Sequence, residues 1–462
     1  MNRPSPNATI NPATGEWVSS FNAHTPEEVE ALLDRAAATN AELAGTSLEQ
    51  RAAWMRSAAD LLEADLDEVA TIVVTEMGKT RKAAEAEVHK CAKAMRFYAD
   101  EAAAFLADEA DIDAGAVNAS AARVVYQPLG TVLAIMPWNF PLWQVIRFAA
   151  PGLMAGNTGI LKHALNVPQT ALYLGDLFAR AGFPVGAFQT VLVDGVDASH
   201  LIEDPRIAAV TLTGSVPAGR AVGAAAGAAL KKTVLELGGS DAFIVMPSAD
   251  LAKAVEVGVT SRTQNSGQSC IAAKRFFIHA DVYDEFTERF TEAMGETVAG
   301  DPEDPNTTFG PLATQRGRAG VHELVQDAVD KGASLLVGGE IPQGPGWFYP
   351  ATVLADLTPK MRIVHEECFG PVASLYRVSS AEEAIGRAND SEFGLSSAAW
   401  TQDEAEMELF TRGLQAGGVF LNGMTVSFPE LPFGGVKSSG YGRELSHHGI
   451  REFCLVKTVW RA

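Results

Sequence analysis

From Gly130 onward, short apolar runs alternate with alanine-rich stretches of helical period. The runs TVLAIMP, NTGILKH, FQTVLVD, AAVTLTGS and DAFIVMP are too short for helices and too uniformly apolar for half-exposed strands. Such a pattern fits a parallel sheet buried on both faces, with helices as crossovers. A second alternation follows Cys270, with KRFFIHA, ASLLVGGE, YPATVL, PVASLYRV, SSAAWTQ and GGVFLNG separated by segments such as Tyr283 to Glu296. Two α/β domains are therefore expected. The first third reads as helical. Thr25-Pro26-Glu27-Glu28 and Ser47-Leu48-Glu49-Gln50 are N-terminal cap signals, Gly78 is a stop, and a further helix is expected from about Lys82 to Leu106. Ala121 to Tyr126 and Phe453 to Trp460 read as isolated strands that pair with each other or across subunits.

Composition narrows the function. The 462 residues carry a formal charge of −21, which repels phosphate backbones and anionic lipid, so neither nucleic acid nor a membrane surface is an expected partner. The apolar run from Val124 to Ile146 is broken by three prolines and an asparagine and reads as a strand followed by a turn. The N-terminus has no apolar core of a signal peptide. Cys91, Cys270, Cys368 and Cys454 show no CxxC spacing, which points to a reducing cytoplasm and away from a zinc knuckle.

Single motifs leave alternatives open. No GxGxxG fingerprint is present. In AAVTLTGSVPAGRAVG, Gly214 and Ser215 stand between a strand and a helix start; this is either an anion-binding turn or an ordinary connection. Lys162 ends the strand GILKH and is either a ribose or phosphate ligand or a solvated lysine. Cys270 closes the polar segment QNSGQSC and is either a nucleophile or a small buried hydrophobe. Glu236 lies in the apolar run VLELGGSDAFIV, where a carboxylate needs either a partner or a function. Asn139 sits between Pro137 and Pro141 in IMPWNFPLW and is either a fixed amide donor or a turn former. His365-Glu366-Glu367-Cys368 offers adjacent side chains that point apart, so no metal site is expected.

Together these motifs resemble the aldehyde dehydrogenase superfamily over essentially the whole chain. The similarity is carried in order by PWNFP, ILK, TGS, ELGG, GQSC, EECFGPV and PFGGVKSSGYGRE. It implies an α/β fold with a Rossmann-type cofactor domain (1–108 and 129–238), a catalytic domain (239–438) and a small β oligomerisation flap (109–128 and 439–462). Homodimers or homotetramers follow from such a flap. The resemblance also implies oxidation of an aldehyde by NAD or NADP. Cys270 is then the nucleophile, Asn139 and the Cys270 N–H form the oxyanion hole, and Glu236 activates the water that hydrolyses the thioester. Trp138, Lys162, Gly214, Ser215, Glu367 and Phe369 fall at cofactor-binding positions.

Within the superfamily, IMPWNFPLWQVIRFA, ILKHA and ELGGSDAFIV are most similar to bacterial succinate-semialdehyde dehydrogenases. The resemblance places Arg147 and Ser427 at the substrate, Arg147 as a fork for its carboxylate, the alternative being a structural ion pair. Three departures qualify this. Gln264 stands where some relatives carry a second arginine, and Ala272 where some carry a second cysteine. Leu165 stands where NAD-preferring relatives place a glutamate, so NADP is permitted. Glutarate semialdehyde or a broad aliphatic series is the alternative substrate range. A cofactor-independent cysteine esterase, or a binding protein that has lost catalysis, are the alternatives of another class.

Overall fold

The computed structural model describes residues 7–462. Residues 1–6, part of the stretch read for a signal segment and of the first domain range, lie outside the described residues. A hairpin, Asn7–Ile10 with Trp17–Phe21, precedes the helices and was not expected.

The cap signals act as read. Thr25 accepts from Glu28 N at 3.3 Å while Thr25 N donates to the Glu28 carboxylate at 2.8 Å, opening the helix Pro26–Ala44. Ser47 accepts from Gln50 N at 3.2 Å and opens Leu48–Ala64. The pattern expected to run unbroken to Gly78 divides at Asp65, and a new helix, Leu66–Met77, begins there. The Asp65 carboxylate accepts from Tyr173 at 2.9 Å and Arg180 at 2.8 Å, partners far away in sequence that periodicity cannot register. Arg81–Phe105 follows as a long helix.

The first α/β unit is a six-stranded sheet. Its order is Gly440–Tyr441, Lys232–Glu236, Ile207–Thr213, Thr131–Met136, Thr158–His163 and Phe188–Thr190, parallel apart from the first strand. The chain builds outward from Thr131–Met136 in one direction, then returns to add Ile207–Thr213 on its other side. This reversal is a topological switch point, and the crevice beyond the strand carboxyl ends is where such sheets bind ligands. The second sheet has seven strands and is likewise mostly parallel, with Asp241–Val245 between Ala273–His279 and Ser396–Trp400. DAFIV, read with the first alternation, thus belongs to the second sheet, and the strand bearing Glu236 completes the first.

Ala121–Pro128 and Cys454–Arg461 pair with each other, antiparallel, in register from Cys454–Pro128 to Arg461–Ala121. The range expected for the flap begins at 439. Gly440–Tyr441 is an edge strand of the six-stranded sheet, and the helix Ser446–Glu452 packs on the buried helix Trp143–Ala155. Gly440 permits this by its positive φ of 108° and lack of a side chain: a Cβ there would lie 1.9 Å from the Leu235 carbonyl oxygen. Among the described residues, no helix is long and apolar enough to cross a membrane.

Candidate active site

Two strand ends of the switch point, Met136 and Thr213, deliver Pro137-Trp138-Asn139 and Gly214-Ser215 to the same crevice. Ser215 caps the helix Val216–Ala228, accepting from Ala218 N at 3.4 Å, so that helix starts at the crevice edge with its amino end. A cavity of about 280 Å³ lies there. Trp138 and Phe369 line it with their rings edge to face at 5.8 Å. Glu367 is held at its rim by Gly239 N at 3.1 Å and by Lys274 Nζ at 3.4 Å. Gly238 lets it sit close, since a Cβ there would meet the Glu367 carboxylate at 2.4 Å and displace that side chain. Lys162 ends its strand half-buried, with burial holding its pKa below the usual lysine range. Five of the six residues expected at a cofactor, all except Lys162, line this one cavity.

The loop bearing Cys270 enters from the seven-stranded sheet, at the amino end of the strand Ala273–His279. Three successive residues turn the chain through the left-handed region: Asn265 (φ 55°), Ser266 (φ 57°) and Gly267 (φ 72°). Only glycine fits the third position, since a Cβ would lie 2.4 Å from the Gly370 backbone. The strained pair is tied down. Asn265 Nδ2 donates to the carbonyls of Asn139 (2.8 Å) and Gln268 (3.0 Å), and Ser266 Oγ donates to Gly310 O at 2.8 Å. The buried Arg262 guanidinium straps the two loop ends, donating to Gly267 O at 2.6 Å and Ala273 O at 2.9 Å. Lys274 Nζ donates to the carbonyls of Ser269 and Cys270, each at 2.9 Å.

Cys270 emerges from this loop partly exposed, whereas the other three cysteines are buried. It lines the first cavity and also a second one, formed with Arg147, Gln264, Thr425, Ser427 and Lys90. The thiol therefore stands where two cavities meet. Burial pushes its pKa up to about 12, and the charges of Arg147 and Lys274 pull against that. Asn139 comes close from the cofactor sheet, its Nδ2 donating to Gln268 O at 3.1 Å, while its Oδ1 is buried without a hydrogen-bond partner.

Glu236 is buried, and neither carboxylate oxygen has a hydrogen bond to protein. Burial first, then the neighbouring Glu444, raises its pKa well above the usual carboxylate range; Arg147 and Arg443 act in the opposite sense. Arg147 is equally buried. Its Nε forms an ion pair with Glu444, its Nη2 donates to Thr213 Oγ1 at 3.2 Å, and its guanidinium lies 4.6 Å from the Phe433 ring centre. Arg147, expected either as a carboxylate fork or in an ion pair, lines the second cavity with its charge already balanced by Glu444. The helix carrying Arg147 is fixed at its amino end by Glu87, whose Oε1 accepts from Leu142 N and Trp143 N, both at 2.9 Å.

Sequence reasoning missed Lys90, Glu87, Lys274 and Glu444. A signal for the first two existed: Glu87, Cys91 and Ala94 share the buried face of the helix Arg81–Phe105, and Lys90 falls on its margin. Glu444 lay inside the matched segment PFGGVKSSGYGRE without being singled out. The run at His365 splits as expected: His365 bonds the Pro359 carbonyl, Glu366 pairs with Arg362, Glu367 faces the cavity and Cys368 is buried.

Known proteins resemble this chain over nearly its whole length. An aldehyde dehydrogenase of Paenarthrobacter nicotinovorans is 62% identical over 453 residues, covering 98% of this chain and 99% of the relative. A protein named succinate-semialdehyde dehydrogenase [NADP(+)] 1, from Mycobacterium ulcerans, is 59% identical over 456 residues, covering 98% and 99%. The crystal structure of succinic semialdehyde dehydrogenase from Streptococcus pyogenes in complex with NADP+ superimposes with a TM-score of 0.95 at 37% identity, covering 98% and 99%. The family model described as aldehyde dehydrogenase family matches residues 2–459, and the chain belongs to that family.

Proposed function

We propose that this protein oxidises succinic semialdehyde to succinate with NADP, NAD being the alternative cofactor. The observation that carries the reading is the position of Cys270, a partly exposed thiol where the two cavities meet. The first cavity fits a dinucleotide: it combines an amino-terminal helix end at Gly214-Ser215, aromatic walls from Trp138 and Phe369, and a carboxylate, Glu367, packed against Gly238. Lys162, at the end of the neighbouring strand, is the further residue assigned to the cofactor.

Cys270 loses its proton and attacks the aldehyde carbon. The Asn139 amide and the Cys270 backbone N–H donate to the oxygen of the adduct. Nicotinamide bound in the first cavity supplies a hydride acceptor. The thioester then left on Cys270 is hydrolysed by water that Glu236 deprotonates, a task that its raised pKa and its unpaired oxygens suit. Arg147 and Ser427 line the cavity assigned to the substrate.

NADP is favoured by the names of the mycobacterial relatives and by Leu165, which offers no carboxylate to repel a 2′-phosphate. The strand pair Ala121–Pro128 and Cys454–Arg461, with exposed Val456 and Trp460, is assigned to assembly as a homodimer or homotetramer. Its four free thiols accord with a reducing cytoplasm. The test is to mix the purified protein with succinic semialdehyde and NADP or NAD and follow reduced-nicotinamide absorbance, with propanal and Cys270→Ala as controls. Turnover that prefers the semialdehyde and is lost in the variant is expected; turnover without that preference overturns the substrate assignment.

A further inference from the structure

We infer that the Lys90 ammonium, together with the Ser427 hydroxyl, seats the distal carboxylate of the substrate and sets the preference for carboxylated over neutral aldehydes. This rests on the proposed oxidation of a semialdehyde and deepens it.

Both residues line the cavity that contains Cys270. Lys90 Nζ donates to Ser427 Oγ at 2.9 Å, and Trp143 Nε1 donates to the same oxygen at 3.0 Å. A hydroxyl oxygen has two lone pairs, so both are used and its hydrogen must point away from the two donors. Ser427 is thus a donor for whatever occupies the cavity. The ammonium has three N–H groups, spends one on Ser427, and lies 4.2 Å from the Trp143 ring centre. That ring face holds the cation in place without neutralising it.

Charge balance singles out Lys90. The carboxylate that acts on it, Glu87 one turn back on the same helix, is paired with Lys79. Arg147 is spent on Glu444, and Gln264 is neutral. The cavity therefore carries one uncompensated positive charge next to a directed hydroxyl donor, the complement of a single carboxylate. A half-buried cation without a counter-ion is held at a cost, and a carboxylated substrate supplies one.

The arrangement also has a pH signature. Burial pulls the Lys90 pKa down to about 8; Arg147 and Lys79 push the same way, and Cys91 and Glu87 oppose them. Above that pH the free enzyme loses the ammonium charge, so KM for succinic semialdehyde rises with pH relative to KM for propanal. Effects of Cys270 and Glu236 ionisation act on both aldehydes and cancel in the ratio.

The experiment measures kcat and KM for both aldehydes in the wild type, Lys90→Met and Lys90→Arg, from pH 6.5 to 9.5. In Lys90→Met the semialdehyde KM is expected to rise about 30-fold or more, at least ten times the change for propanal, and the KM ratio to lose its pH dependence. Lys90→Arg, which stays charged, keeps a semialdehyde preference at pH 9. Equal changes for both aldehydes, or an unchanged ratio in Lys90→Met, overturn the inference while leaving the proposed function standing. If Lys90→Met does not fold, the wild-type and Lys90→Arg pH profiles decide it, a flat wild-type ratio counting against it. A wild type with no semialdehyde preference at any pH overturns the substrate assignment itself.

Discussion

Asn139 donates through its side-chain amide to the carbonyl of Gln268 at 3.1 Å, linking the cofactor sheet to the loop two residues before Cys270. The same carbonyl also accepts from Asn265 at 3.0 Å. The loop is therefore held twice, and Asn139 keeps a second N–H for another acceptor.

Asn139→Ala should accordingly lower kcat/KM for propanal about 100-fold or more, the usual effect of deleting an oxyanion donor, with Tm nearly unchanged because Asn265 still anchors the loop. Steady-state kinetics and a thermal melt check this. A loss under fivefold would remove Asn139 from the oxyanion hole, and a large drop in Tm would make its role structural.

The Cys270 thiol, pushed up to about 12 by burial, should be protonated in the free enzyme at neutral pH. Alkylation by iodoacetamide, followed by mass spectrometry at that residue, is expected to quicken about tenfold per pH unit from pH 7 to 10. A rate that levels off below pH 8 would mean a thiolate stabilised within the resting site.

Removing Arg147 should act through Glu236. Its guanidinium lowers the Glu236 pKa and balances Glu444, so Arg147→Ala leaves two neighbouring buried carboxylates with only Arg443 to offset the charge on Glu236. The folded pKa of Glu236 rises further, the ionised base appears only at higher pH, and the acidic limb of the kcat profile should move upward for propanal as for the semialdehyde. The loss of a buried partner should also cost about 3 kcal/mol of stability, read as a lower Tm. An unmoved pH profile would separate Arg147 from Glu236.

Much of this was legible in the chain. TVLAIMP, NTGILKH and AAVTLTGS became adjacent parallel strands because runs that apolar can only be buried on both faces, and Thr25 and Ser47 capped helices because capping is decided within four residues. Cys270, Asn139 and Glu236 were legible as motifs, each embedded in glycines and prolines that a turn requires. What was hidden depends on long-range partners. Lys90 meets Ser427 across 337 positions of sequence, and Arg147 meets Glu444 across the two ends of the cofactor domain. No local pattern tells an arginine that is already paired from one that is free, which is why fork and ion pair stood as alternatives for Arg147. Gly440 was read with the flap for the same reason: its strand partner is Glu236, far away in the sequence.

The central claim is that Cys270 carries a thioester which Glu236 helps to hydrolyse, and pre-steady-state kinetics of Glu236→Gln test it most directly. Mixed with propanal and NADP in a rapid-mixing spectrometer, the variant should release reduced nicotinamide in a burst equal to its active sites and then nearly stop, with an acyl group detectable on Cys270 by mass spectrometry. A variant that gives no burst, or that continues to turn over at the wild-type rate, would contradict the account.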